Sequence, residues 1–176
     1  MENRYKKLCN KKSDINEHLQ KLKIFGEDCE HITEFGVRKG ISTCAFLMAK
    51  PKKFICYDIK LKFPIKKYSK WAKENNVDFK FIKTDVLTTV ISKTDLLFID
   101  TYHTYNQLIQ ELTLHSHKVK KYIILHDVET FGIIGEDNQS DGLLVAADEF
   151  LSKTKNWLTY KHYHNNNGLL ILKRCG

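Results

Sequence analysis

Five short runs with the patterns of β-strands, each leading into an acidic residue, constrain the fold of this chain most strongly. The acids are Glu34, Asp58, Asp85, Asp100 and Asp127, and segments with helical spacing separate the runs. Strands that alternate with helices pair in parallel through right-handed crossovers, so they form an open sheet with helices on both faces. The sequence therefore predicts a doubly wound, mostly parallel α/β fold.

The C-terminal segment, residues 155–174, breaks this alternation. It contains two strand-like stretches, NWLTYKHYH and LLILKR, joined by the turn NNNG. Two such stretches around an Asn-Gly turn are typical of an antiparallel hairpin. We expect this hairpin to form one edge of a seven-stranded sheet.

The N-terminal segment, residues 1–28, predicts a helical extension ahead of the sheet. Ile15, Leu19 and Leu22 recur at the spacing of one helical face, and the Ser-Asp pair before them would cap that helix. The chain of 176 residues suffices for one domain with a sizeable core and is too short for two ordinary ones. We expect a single domain over the whole chain.

Composition is typical of an intracellular globular protein. Apolar residues make up 42% of the chain, yet no run is long enough to cross a membrane, and no apolar segment follows the basic N-terminus. The five cysteines form neither a CxxC pair nor a set with zinc-ligand spacing, which favours free thiols in a reducing compartment. We expect a cytoplasmic protein that does not bind membranes.

The net charge of +8 leaves the class of partner open. An excess of basic residues can indicate nucleic acid, an anionic substrate or a membrane surface. Here the lysines are spread along the chain without arginine clusters or interleaved aromatic residues. Nucleic acid therefore stays an alternative that the sequence does not favour.

The five acids at the strand ends should line one cleft, because parallel strands end at the same edge of a sheet and ligands bind outside their carboxyl ends. At any single strand, an acid can simply mark the point where the chain meets water. Five in succession favour a binding site.

The segment EFGVRKGIS follows the first predicted strand. Gly36 and Gly40 permit a tight turn and a close approach of the backbone to a ligand, and Ser42 or Thr43 can cap the next helix. The glycine spacing is neither the dinucleotide fingerprint nor a Walker A loop, which disfavours a phosphate site. The acid at the end of the second strand, Asp58, suits the two hydroxyl groups of a ribose. These features predict an adenosine compound without phosphates.

EFGVRKGIS, Asp58, the TDV segment at 84–86 and DLLFIDTYHTY together resemble the class I S-adenosylmethionine-dependent methyltransferases, and most of all their small-molecule and sugar O-methyltransferase branches. The resemblance covers residues 30–130, the expected cofactor-binding core, and extends to the final hairpin, which matches the reversed last strand of that family. It implies a Rossmann-like methyltransferase fold with S-adenosylmethionine as the cofactor.

The resemblance also implies roles for individual residues. Glu34 and the glycine loop at 36–40 would hold the methionine moiety. Asp58 would hold the ribose, and Asp85 with Val86 would hold the adenine. The full cofactor-binding set that it implies is Glu34, Gly36, Val37, Gly40, Ser42, Thr43, Asp58, Asp85, Val86 and Asp100.

Metal-dependent members of this family carry acids at the ends of strands four and five, which correspond here to Asp100 and Asp127. Hard oxygen ligands suit Mg²⁺, which can lower the pKa of a substrate hydroxyl and orient it. Catechol-type members have an amide directly after the second acid, where this chain has Val128. The third ligand therefore stays open among His126, Glu129 and water.

His103 corresponds to a lysine that catechol-type members carry three residues after the strand-four acid. An imidazole with an ordinary pKa near ~6.5 accepts a proton at neutral pH, so we expect His103 to act as the general base beside Asp100. The competing interpretation is a histidine that only caps or packs at this turn. The long loop at 129–142, with glycines near both ends, is either a substrate lid or an ordered connection.

The sequence thus predicts a Mg²⁺-assisted O-methyltransferase for a hydroxyl group of a sugar, a glycan or another polar small molecule. Two alternatives stay open, namely ribose 2′-O-methylation of RNA and a non-catalytic binding domain with the same fold. The oligomeric state stays open as well, a homodimer included.

Overall fold

The computed structural model describes residues 1–175. Within that range the strands are β1 (His31–Phe35), β2 (Lys53–Asp58), β3 (Asp78–Lys83), β4 (Thr94–Ile99), β5 (Val119–His126), β6 (Trp157–Tyr163) and β7 (Leu169–Arg174). The α-helices are α1 (Glu2–Asn10), α2 (Leu19–Glu27), α3 (Ile41–Met48), α4 (Ile65–Glu74), α5 (Tyr105–His115) and α6 (Leu143–Lys153). Short 3₁₀ helices occupy Asn16–His18, Val86–Thr88 and Ser116–Lys118. None of the helices described is long and apolar enough to cross a lipid bilayer.

The strands form one sheet in the order β3-β2-β1-β4-β5-β7-β6. Strands β1 to β5 pair in parallel, whereas β7 lies antiparallel to both β5 and β6. This arrangement confirms the predicted doubly wound sheet with an antiparallel C-terminal hairpin. Phe35 pairs with Tyr57 on one side and Ile99 on the other, so the ends of β1, β2 and β4 lie level. The chain changes direction across the sheet between β1 and β4, where ligand-binding crevices form in such folds.

Two apolar layers cover the sheet, one on each face. Helices α1 to α4 contribute to the first layer, in which the ring of Phe46 packs against Phe54 and Phe98 at centroid distances of 5.8 and 5.4 Å. Helices α5 and α6 contribute to the second, which includes the fully buried Leu112 and Ala147. Because helices cover both faces, the carboxyl edge of the parallel strands is where loops are free to build a site.

The N-terminal extension is helical, but its second helix begins later than the sequence predicts. Ile15, Leu19 and Leu22 are buried as expected, with α2 starting at Leu19. The Ser-Asp pair does not cap it, because the side chain of Asn16 ties the segment into a turn. Its Oδ1 accepts a hydrogen bond from the Ser13 backbone (3.0 Å), and its Nδ2 donates to the carbonyl of residue 9 (3.2 Å).

Candidate active site

The carboxyl ends of β1 to β4 open into a cleft of about 570 Å³. Cavities of roughly 300–1,000 Å³ are usual for small-molecule sites. The walls of the cleft include Gly36, Asp58, Asp85, Val86 and Asp100. The structure therefore brings half of the predicted cofactor-binding residues to one cavity.

Gly36 allows the loop after β1 to touch the end of β4. Its φ of 81° lies in the left-handed region, and a Cβ there would stand 1.9 Å from the backbone oxygen of Asp100. The Gly36 backbone donates to the carbonyl of Tyr57 (3.0 Å), and the Asp100 backbone donates to that of Phe35 (2.9 Å). A side chain at Gly36 would push these strand ends apart.

Gly40 precedes the first residue of α3 and also has a left-handed backbone, with a φ of 69°. A Cβ at this position would meet the ring of Phe63 at 3.0 Å. The hydroxyl of Tyr68 donates to the Gly40 carbonyl at 2.7 Å. Gly40 thus serves the packing of the loop against its neighbours.

Glu34 faces protein and not the cleft. Its carboxylate is fully buried and accepts hydrogen bonds from Ser42 Oγ (2.5 Å), Thr43 Oγ1 (2.7 Å) and Cys56 Sγ (3.0 Å). Burial raises the pKa of Glu34 to about 7, although the hydrogen bonds from the two hydroxyls and the thiol act in the opposite direction. Glu34 and Thr43 therefore tie β1 to the start of α3, behind the loop predicted to hold the methionine moiety.

Val37 and Ser42 line a second cavity of about 250 Å³ that adjoins the first. The two cavities share Arg38 and Asp100. The N-terminal segment at 13–15 forms another wall of the second cavity. Arg38 Nη1 donates to Oδ2 of Asp14, which belongs to that segment, at 3.2 Å. Sequence reasoning missed this wall, because no motif in the N-terminal extension marks it.

Backbone amides orient Asp58 at the rim of the cleft. Its Oδ2 accepts from the amides of Val37 (2.8 Å) and Arg38 (2.9 Å), and its Oδ1 accepts from that of Lys60 (2.8 Å). A carboxylate has about four acceptor positions, so one is left for a ligand hydroxyl. Asp85 lines the same cleft and accepts from the Leu87 amide at 2.9 Å, which caps the following 3₁₀ turn.

Two carboxylates and two imidazoles interleave at the ends of β4 and β5. His103 Nε2 lies 3.0 Å from Asp127 Oδ2 and 3.3 Å from Asp100 Oδ1. His126 Nδ1 lies 3.5 and 3.4 Å from the same two oxygens. Asn167 Nδ2 donates to the other oxygen of Asp127 at 2.9 Å. We call Asp100, His103, His126 and Asp127 the strand-end cluster.

Mutual interactions control ionisation in the strand-end cluster. Burial alone would raise the pKa of both carboxyls and lower that of both imidazoles, but the ion pairs and hydrogen bonds outweigh it. The pKa of Asp100 and that of Asp127 are therefore lowered, whereas those of His103 and His126 are raised well above the ordinary value. In this arrangement His103 carries a proton at neutral pH, unlike the imidazole of ordinary pKa that the sequence suggested.

The loop at 129–142 holds the His103 ring. Phe131 stacks on the imidazole at a centroid distance of 4.9 Å and an interplanar angle of 14°. Glu136 Oε2 lies 2.7 Å from His103 Nδ1, and the Glu136 backbone donates to the His103 carbonyl at 2.8 Å. Sequence reasoning did not assign Phe131 or Glu136 to the site, because the loop was noted only for its length and its glycines.

Asp100, His103 and Asp127 present ligand atoms that converge closely enough to hold a metal ion. The two carboxylates suit a hard cation such as Mg²⁺, whereas the imidazole nitrogen suits a transition metal better. His126 contacts both carboxylates but is not part of the convergent set of three. The structure does not bring Glu129 here. Its carboxylate lies beside His162 and His164 of the C-terminal hairpin, so the prediction of Glu129 as a ligand in this set is corrected.

No protein-family model matches the sequence, and no curated protein is significantly similar to it. Solved structures do match. The O-methyltransferase TomG of Streptomyces achromogenes, in complex with S-adenosylmethionine, is 13% identical, with a TM-score of 0.61 over 92% of this chain and 81% of that one. The methyltransferase PaMTH1 of Podospora anserina, bound to S-adenosylhomocysteine, is 14% identical, with a TM-score of 0.62 over 99% and 95%.

The N-methyltransferase NodS of Bradyrhizobium japonicum is 11% identical, with a TM-score of 0.60 over 90% of this chain and 93% of that one. Enzymes that methylate different atoms therefore share this architecture, and likeness at such low identity identifies the fold alone. The strand order, the antiparallel hairpin and the similarity to these solved structures together show the fold. This chain has the Rossmann-like fold of the class I methyltransferases.

Proposed function

We propose that this chain is an S-adenosylmethionine-dependent O-methyltransferase acting on a hydroxyl group of a sugar or another polar small molecule. The observation that carries the proposal is the cleft itself. It joins the glycine loop after β1, the oriented carboxylate of Asp58 and the Asp85–Val86 corner to one end of the strand-end cluster. Residues suited to a nucleoside and the imidazole of His103 thus line one cavity, which supports the proposal.

Exposed apolar side chains in the cleft support an aromatic ligand ring. Ile59 is 60% exposed and Tyr102 is 50% exposed, and both line the cleft with Tyr57 and Val86. Large apolar groups that stay open to water inside a cavity commonly mark a binding surface. We assign the adenine to this wall and the ribose to Asp58.

The polar end of the cleft supports a hydroxylated acceptor. Thr101, His103, Gln107 and Glu136 line it together with Asp100. Thr101 Oγ1 and Gln107 Nε2 each donate to the buried carboxylate of Glu111 at 2.8 Å, which fixes their positions. An array of fixed polar groups suits a sugar better than a flat apolar ring.

The residues at this end would position and deprotonate the acceptor. Bound S-adenosylmethionine supplies the methyl group of a sulfonium, so that a C–O bond forms as the C–S bond breaks. Asp100 and His103 would orient the acceptor hydroxyl, and His103 Nε2 would take its proton. His103 does this only in the fraction that has lost its own proton, so without metal we expect the rate to rise with pH above neutrality. Asp100 and Asp127 would hold a divalent cation, which would lower the pKa of the hydroxyl.

The test combines cofactor binding with turnover. Titration calorimetry should detect one equivalent of S-adenosylmethionine, and a panel of sugars, glycans and phenols should then be assayed with and without chelator. Methylation of a sugar hydroxyl is the expected result. Methylation of RNA with a steep salt dependence would favour the nucleic-acid alternative. Binding without turnover on any acceptor would favour the non-catalytic alternative, and the absence of binding would contradict the proposal.

A further inference from the structure

A second group of possible metal ligands lies on the C-terminal hairpin, apart from the strand-end cluster. His162 is in β6, His164 follows the end of that strand, and Glu129 comes from the segment after β5. Residues two apart in an extended strand point to the same side, so both imidazoles face Glu129. We call Glu129, His162 and His164 the hairpin cluster.

The side-chain atoms of the hairpin cluster converge on a single point. Glu129 Oε1 lies 2.8 Å from His162 Nε2 and 2.9 Å from His164 Nδ1. All three ligand atoms lie within 4.8 Å of one another. Ligand atoms around a tetrahedral zinc ion, each at about 2.0–2.1 Å from the metal, are on the order of 3.4 Å apart. Small side-chain rotations would bring this set to that spacing.

His162 gives an independent indication of a ligand. Its Nε2 is buried and lacks a hydrogen bond of acceptable geometry, even though a carboxylate oxygen stands 2.8 Å away. Buried polar atoms normally have a hydrogen-bonding partner, and one without a partner calls for an explanation such as a bound ion. The His162 nitrogen is therefore left without a hydrogen bond at the place where the three ligand atoms converge.

The backbone holds Glu129 in place before any ion binds. Its amide donates to the carbonyl of Asn167 in the hairpin turn at 2.9 Å. Gly168 packs so closely that a Cβ there would meet Glu129 Cγ and its amide nitrogen at 2.6 Å. The ligands therefore come from two segments that are already attached to each other, which lowers the cost of ordering them.

We propose that Glu129, His162 and His164 bind a divalent transition-metal ion of the zinc class, with water in the remaining position. Two imidazoles and one carboxylate suit zinc, cobalt or nickel and do not suit Mg²⁺. The His164 side chain is 70% exposed, so the ion would be accessible from solvent. Asn167, in the same turn, donates to Asp127. The ion would therefore clamp the hairpin turn beside the strand-end cluster.

The experiment uses the full chain without an affinity tag and adds Co²⁺ or Zn²⁺ alone. We expect about one equivalent of Co²⁺ to bind at this site, with the visible absorption of a four- or five-coordinate ion. His164→Ala and His162→Gln should weaken its binding at least about 10-fold, as loss of one ligand or its support usually does. Zn²⁺ at ~100-fold excess over its dissociation constant should raise Tm by roughly 5–10 °C, and at the same Zn²⁺ concentration this rise should fall to about half or less in His164→Ala.

Two control variants separate this site from others. His117→Ala removes an exposed histidine outside both clusters, and Asp100→Asn disables the strand-end cluster. Both should keep the Co²⁺ spectrum. Loss of the spectrum in Asp100→Asn with retention in His164→Ala would overturn the proposal, as would unchanged affinity in His162→Gln and His164→Ala or no binding at all. Since no cofactor or acceptor is added, failure here leaves the proposed methyl transfer unaffected.

Discussion

The acids at the ends of β1 and β5 look alike in the sequence, yet the structure surrounds them with different partners. Glu34 is enclosed by two hydroxyls and a thiol, and burial raises its pKa to about 7. Asp127 is enclosed by two imidazoles and an amide, which outweigh burial and lower its pKa. Neutral donors cannot compensate fully for burying a charge, whereas a cation can. The partners, more than the position at a strand end, decide which acid supports chemistry and which supports packing.

The surroundings of Asp58 and Asp100 are intermediate between those of Glu34 and those of Asp127. Asp58 is oriented by three backbone amides at the open rim, and Asp100 joins the imidazoles while also lining both cavities. Along the sheet edge, the ends of β3 and β2 therefore form a ligand-binding part, Glu34 in the central β1 supports packing, and the ends of β4 and β5 form a proton-handling part. The following predictions test this division.

Asp127→Asn should have the largest effect and should act on turnover alone. The substitution removes one of the three carboxylates that face the two histidines, leaving Asp100 and Glu136, and it removes one candidate metal ligand. We expect kcat/KM for methyl transfer to fall roughly 10³-fold, within the range usual for acid–base groups. Asp127 does not line the cleft, so the Kd for S-adenosylmethionine should stay within about 3-fold of the parent value. A large loss of cofactor affinity would contradict the division between β2 and β5.

Glu34 variants should change stability and its pH dependence. The folded chain holds the Glu34 proton up to about pH 7, whereas the unfolded chain loses it near 4.5. The contribution of Glu34 to the free energy of unfolding is therefore full below pH 4.5 and is lost as the pH rises through about 7. Glu34→Gln should flatten this decline, by about 3 kcal/mol at most between pH 4.5 and 8.

Glu34→Ala is the matched comparison, because it leaves the side chains of Ser42, Thr43 and Cys56 without an acceptor and opens a cavity. We expect it to cost about 3 kcal/mol at acidic pH, where the parent is most stable. Urea denaturation across this pH range measures both variants. An equally steep pH dependence in Glu34→Gln and the parent would show that Glu34 ionises in the folded protein as in the unfolded chain.

Asp58→Asn should weaken cofactor binding by about 30-fold, corresponding to roughly 2 kcal/mol for hydrogen bonds to a charged group. The reason is twofold, since the ribose loses a charged acceptor and the loop amides of Val37 and Arg38 lose theirs. Asp78→Asn, at the opposite end of the adjacent β3, provides the control and should bind S-adenosylmethionine like the parent. Calorimetry that finds the two variants equal would remove Asp58 from the ligand site.

Asn167→Ala should have the smallest effect. It removes one hydrogen bond to Asp127 while leaving both imidazoles in place. We expect a loss of about 5-fold in kcat/KM, corresponding to about 1 kcal/mol. Asn167→Asp keeps the size of the side chain but places a like charge beside Asp127, and it should lose more activity than the alanine variant. The reverse order would mean that this amide has only a structural role.

The sequence was sufficient to predict the rim, because parallel strands bring their ends together whatever loops follow. Asp58, Asp85 and Asp100 reach the cleft for this reason, and the hairpin follows from its Asn-Gly turn. The same logic could not foresee the partners of Glu34. Cys56 lies 22 residues away in the chain and reaches the carboxylate only through the pairing of β1 with β2.

The path of the loop that follows β5 could not be predicted from the sequence either. Glu129 follows Asp127 by two residues, but Asp127 adopts a left-handed backbone (φ 62°) and the chain turns toward the hairpin. Glu129 therefore joins His162 and His164 and not the strand-end cluster. Phe131 and Glu136 return to His103 by contacts that no local pattern encodes.

Calorimetric titration of the folded chain with S-adenosylmethionine tests the central claim most directly, namely that the strand ends present one adenosyl-binding cleft. We predict one equivalent bound by the parent and by Asp127→Asn, with binding weakened in Asp58→Asn. Failure of the folded parent to bind the cofactor at millimolar concentration, or equal binding by the parent and Asp58→Asn, would contradict it.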